Sequence, residues 1–212
     1  MKNKNNRLSH YKIKHGTSEM RLYSGFDYLD EGDICKIIRK KLGNLKIDIG
    51  FINTDERFIG RVTYGHLCDD LKLYPTKIEF NYSYSNNWGK FSVLHEIGHV
   101  VHSPFNDKCL KGMVTKYGVS DDRTQVQMEK FAMMYALKSA YDEGDMQTSY
   151  CVVLSIFDCL GLVDYDEPNE NHVDHITKRH STAARRVMKT KMFKDVCGWL
   201  NREYFHKTII KA

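Results

Sequence analysis

The pentapeptide His95-Glu96-Ile97-Gly98-His99 constrains this chain more than any other feature, because its chemistry requires a helix. Residues four apart share a helical face, so both imidazoles can reach one point while Glu96 projects beside them. Zn²⁺ accepts imidazole nitrogen and carboxylate oxygen at tetrahedral positions, and a catalytic site keeps one position open for water. The ion lowers the pKa of that water to about 7, and a neighbouring carboxylate takes its proton as the water attacks a peptide carbonyl. His95 and His99 are therefore candidate metal ligands and Glu96 the candidate general base. The competing explanation is a chance spacing of two histidines on a part-exposed helix. Against it stand the residues around the motif. Ser85, Asn86 and Asn87 are helix-capping types, and Trp88, Phe91, Leu94, Ile97 and Val101 recur at threes and fours before Pro104. Gly98 leaves room for a close backbone approach.

Three segments carry a resemblance. Lys77-Ile78-Glu79-Phe80-Asn81 reads as a strand, Phe91-Ser92-Val93-Leu94-His95-Glu96-Ile97-Gly98-His99-Val100-Val101-His102 as the metal helix, and Phe131-Ala132 lies on a later helix. In this order, from about Asp33 to Met188, the chain resembles the ImmA/IrrE metallopeptidases, which relieve repression in phages and mobile elements by cleaving a DNA-binding repressor. The resemblance implies a zinc peptidase with a protein substrate. It also implies a glutamate as third ligand on the later helix. Aligning Phe131-Ala132 with the family's Phe-Ala puts Gln127 where that glutamate is expected, and Gln is a poor zinc ligand. Glu129, two residues on, is the preferred third ligand, with Asp121, Asp122 and His102 in reserve.

The expected fold is α+β, a single zincin-like metallopeptidase domain with a small sheet packed on helices and a mostly helical C-terminal half. Residues 1–18 read as a mobile basic arm, residues 19–212 as the peptidase domain, and the part from about 145 as a helical subdomain. The basic start is followed by no apolar core, and no apolar run is long enough to span a bilayer, so a cytoplasmic protein without a membrane partner is expected. Six cysteines without a Cys-x-x-Cys pair argue against a zinc ribbon or a secreted disulfide scaffold.

Ile34, Ile37, Ile38 and Leu42 have helical spacing up to Gly43, and 45–51 alternates as a strand. Further strands are expected near 58–64 and 77–82, the second a candidate edge for pairing with an extended substrate. Helices are expected at about 122–140 and 146–160, with a last one capped by Ser181. Between Pro104 and Asp121, a loop of about 20 residues could line the cleft. His172, His175 and His180 read as surface histidines, although one of them, or Arg185, could stabilise an oxyanion.

The net charge is +5 and unevenly spread: 1–15 and 178–194 are basic, whereas 142–174 carries only acids among its charged side chains. This leaves open a non-catalytic protein that binds a regulatory partner. Direct nucleic-acid binding ranks last, because no helix-turn-helix, zinc-finger or RNP pattern is present.

Overall fold

The computed structural model describes residues 13–14, 28–56, 58–66, 73–81, 88–101, 122–164, 178–204 and 210. In chain order their elements are β1 (Ile13–Lys14), β2 (Tyr28–Leu29), α1 (Glu31–Leu42), β3 (Asp48–Ile52), β4 (Gly60–His66), β5 (Leu73–Asn81), β6 (Trp88–Gly89), α2 (Lys90–Val101), α3 (Asp122–Asp142), α4 (Met146–Asp158), β7 (Val163–Asp164), α5 (Lys178–Met188) and α6 (Lys191–Trp199), which runs into a π-helical turn, Leu200–Tyr204. The fold is α+β and mostly helical, with one three-stranded sheet. Among the described residues no helix is long and apolar enough to cross a membrane. Two compact units divide the chain, Asp27–Ala136 and residues 1–26 with 137–212, so the boundary falls inside α3.

The first unit is built on a sheet of order β3-β5-β4, with β3 parallel and β4 antiparallel to β5. Alternation along the strands gives it two unlike faces. Ile78 and Phe80 on β5 are fully buried, flanked in register by Ile49 and Phe51 on one side and Val62 and Gly60 on the other. On the opposite face Glu79 is only 7% exposed and is satisfied by charge. Lys77 Nζ approaches one carboxylate oxygen at 2.8 Å and Arg61 Nε the other at 2.9 Å. Asn81, at the end of β5, donates to the carbonyls of Thr54 and Glu56 at 3.0 and 2.8 Å and so ties down the chain between β3 and β4.

The strand 77–82 had been expected at an edge. Its described part, Lys77–Asn81, is instead the inner strand, paired with β3 throughout and with β4 over 77–80. There Ile78 and Phe80 are fully buried, flanked by Ile49 and Phe51 of β3 and Val62 of β4. Among the described residues β4 is the strand with one open side next to the metal helix.

Helix α1 begins where the Asp30 side chain accepts from the Asp33 amide at 2.8 Å and stops at Gly43, whose φ of 59° lets its amide bond back to Arg39. Ile34, Ile38 and Leu42 form its buried stripe, and it packs against α2. Strand β6 pairs with β2 and feeds α2, so Trp88 belongs to a strand, not to the first helical turn. The capping residues expected at 85–87 lie outside the described residues.

In the second unit α4 is the central helix: Cys151 to Leu154, Ile156 and Phe157 are all buried, so it carries no polar stripe. Asp145 caps it by accepting from the Thr148 amide at 2.9 Å. Helices α5 and α6 pack on it, with the Phe157 and Phe193 rings 6.0 Å apart. Ser181 is not the cap of α5, which starts three residues earlier; its hydroxyl donates to the Cys159 carbonyl at 2.7 Å, satisfying an acceptor just past the end of α4. Ile13–Lys14 pairs in parallel with Val163–Asp164, inside the stretch read as an arm, and the rest of 1–18 lies outside the described residues.

Candidate metal centre

Helix α2 places His95 and His99 one turn apart, their Nε2 atoms 3.1 Å from each other and the rings edge to face. Glu129, on α3, brings Oε2 to 3.3 Å from the His95 Nε2 and 3.6 Å from that of His99. Zinc bonds of about 2.0–2.1 Å at tetrahedral angles put ligand atoms about 3.3 Å apart. The three observed edges bracket that value, so the donor set fits a single small ion. Among the described residues this is the one group of three metal-ligating side chains able to converge on an ion.

The convergence depends on how closely α2 and α3 meet. A β-carbon at Gly98 would lie 2.7 Å from the Ala132 Cα and 3.0 Å from its carbonyl oxygen. Glycine therefore lets the two backbones touch, and Glu129 stands one turn before the contact, level with the imidazoles. Gln127 sits two residues earlier, about 200° around the helix from Glu129, and so projects from another side. Its Oε1 is buried without a hydrogen-bond partner among the described residues.

Glu96 is only 7% exposed, with the charge of His95 acting on it. Burial pushes its carboxyl up to about 7; His95 works against this and Glu129 adds to it. For His95, burial acts to lower the pKa, but the hydrogen bond and charge of Glu129, with Glu96 adding, outweigh it and leave the imidazole raised. The carboxyl of Glu96 lies against strand β4: a β-carbon at Gly60 would meet its Cγ at 2.7 Å and its Oε1 at 3.0 Å. Further along β4, the Tyr64 hydroxyl donates to the His99 carbonyl at 3.2 Å, fixing the end of the metal helix to the sheet.

Gly60 and Tyr64 were not singled out from the sequence. An isolated glycine within an expected strand is a signal of close approach and could have found Gly60; Tyr64 carries no such signal. Of the reserve ligands, Asp122 opens α3, whereas Asp121 and His102 lie outside the described residues. His172 and His175 also lie outside them, while His180 and Arg185 are on α5, in the other unit.

Compared with protein-family models, curated proteins and solved structures, the chain matches none.

Proposed function

We propose that this chain is a zinc-dependent endopeptidase of zincin-like build, akin to the ImmA/IrrE metallopeptidases, acting on an intracellular protein. The observation that carries the reading is the buried Glu96 carboxyl beside two imidazoles one helical turn apart, which Glu129 approaches at ligand-shell distances. His95, His99 and Glu129 would hold the ion. When bound it supplies Lewis acidity, polarising a carbonyl oxygen and acidifying water.

Glu96 performs the proton transfers. From beside the imidazoles its carboxylate takes the proton of the attacking water and returns it to the leaving amine. Gly60 and the strand backbone hold that carboxyl in place on one side, which favours a single orientation. Among the described residues β4 is paired on one side, and its other edge is suited to hold an extended peptide by main-chain hydrogen bonds.

A DNA-binding repressor is the substrate class favoured by the sequence resemblance, and the cytoplasm is the compartment where such a substrate works. Free thiols at Cys35, Cys151, Cys159 and Cys197 suit a reducing compartment. The second reading is a non-catalytic protein that binds a regulatory partner through its charged surface, which an incomplete ligand set at Gln127 would favour; Glu129 beside both imidazoles supports the enzyme reading instead.

The test is cleavage of candidate repressors by the zinc-loaded protein, compared with Glu96→Gln carrying the same zinc. The proposal requires cleavage by the first alone. Equal cleavage by both would remove Glu96 from the chemistry, and cleavage by neither across a broad repressor panel would count against the substrate class.

A further inference from the structure

Helices α5 and α6 separate their residues sharply. Ala183, Ala184, Val187, Phe193, Val196 and Cys197 are buried, whereas Lys178, Arg185, Arg186, Lys189, Lys191 and Lys194 are exposed. Between 178 and 195 there are seven Lys or Arg and one acid, Asp195, an excess of six against +5 for the whole chain. The remainder of the protein nets about −1, its basic residues 1–15 offset by the acids elsewhere, so 178–195 is one of two basic segments and the one that lies on described helices. Asp195 engages Lys191 at 3.5 Å, and the other five exposed cations have no carboxylate partner among the described residues. Lys178 and Arg185 are seven residues apart, so they fall on one line of α5 about 10 Å from each other, with Arg186 beside them.

We propose that this face binds the phosphate backbone of double-stranded nucleic acid, without reading sequence. Charge complementarity selects the ligand. A protein interface is anchored by Trp, Tyr and Arg in desolvated pockets, with Lys depleted, and a membrane surface takes an apolar wedge from such a helix. The large exposed apolar side chains among the described residues are Leu45 and Tyr141, neither of them on α5 or α6. A row of exposed Lys and Arg, five of them without a carboxylate partner among the described residues, over a buried apolar side matches what phosphate contacts need. The contact is independent of the metal centre, and for a protease acting on a DNA-bound protein it would raise the local concentration of substrate.

The experiment is fluorescence anisotropy of a labelled duplex of scrambled sequence titrated with the full-length protein at several salt concentrations. Binding should weaken steeply with salt, log affinity falling with a slope of about −0.9 for each phosphate neutralised. Arg185→Glu combined with Arg186→Glu should weaken binding more than about ten-fold and reduce the slope by about two. Arg39→Glu combined with Lys40→Glu, also at exposed helical positions, makes the same change in net charge elsewhere and should leave affinity within about two-fold. Circular dichroism shows whether each variant is folded, and Lys189→Glu with Lys194→Glu is the second pair should the first unfold. Glu96→Gln should bind duplex like wild type, which separates this result from the peptidase reading. Absent or salt-insensitive duplex binding, equal losses in the α1 and α5 variants, or binding to phosphatidylserine vesicles or polyglutamate in preference to duplex would each overturn the proposal.

Discussion

Gly98 and Ala132 touch backbone to backbone, and this contact sets the height of Glu129 against His95 and His99. A β-carbon at position 98 would sit 2.7 Å from the Ala132 Cα, a separation that real side chains do not tolerate. The fourth residue of the His-Glu-x-x-His motif therefore positions a candidate ligand on a different helix.

Gly98→Ala should force α2 and α3 apart, costing about 1–3 kcal/mol as an overpacked contact. It should also weaken zinc binding, because Glu129 moves with α3. Urea unfolding of the metal-free protein and a zinc titration measure the two effects separately; unchanged values in both would mean that the helices are free to separate without loss.

Glu129→Ala should weaken zinc strongly. Gln127→Ala should change affinity by about 10- to 100-fold at most, the size of an effect that acts through a ligand's surroundings. Competition titrations against a chelator give the ordering. A larger loss in the Gln127 variant would shift the third ligand to that position.

Gly60→Ala tests how the base is held. The new methyl would press on the Glu96 side chain, 2.7 Å from its Cγ. Zinc content should be unchanged and turnover of a verified substrate should fall by about 100-fold, the scale of a misplacement near 1 Å. Loss of zinc with turnover would instead point to a distorted helix.

Helix α2 was legible because its information is local: spacing, an apolar stripe and a glycine all lie within 12 residues. Glu129 was harder, since a two-residue ambiguity on a helix is resolved only by the neighbour it packs against. The same limit explains β5. Ile78 and Phe80 identify a strand, but its central position depends on β3 and β4 arriving on either side, a pairing between distant segments. Ser181 looked like a cap because hydroxyls favour that position, and its actual acceptor, the Cys159 carbonyl, lies just past the end of a different helix.

Acid should destabilise the first unit through Glu79. The Lys77 hydrogen bond, against opposition from burial and with Arg61 adding, holds this carboxyl below its ordinary range. A depressed folded-state pKa stabilises above the unfolded value of about 4.3, and that stability is lost as pH falls through the folded value. Glu79→Gln should therefore be less stable than wild type at neutral pH, and the difference should shrink in acid. Urea midpoints across this window check the sign, and a constant difference would exclude the ion cluster as its source.

The central claim is that His95, His99 and Glu129 form one zinc site, and the X-ray absorption spectrum of the zinc-loaded protein addresses it directly. The predicted spectrum has two imidazole nitrogens and a carboxylate oxygen at about 2.0–2.2 Å, with imidazole scattering reduced in His95→Ala and His99→Ala. A shell dominated by sulfur at about 2.3 Å, or a spectrum unchanged when either histidine is replaced, would contradict it.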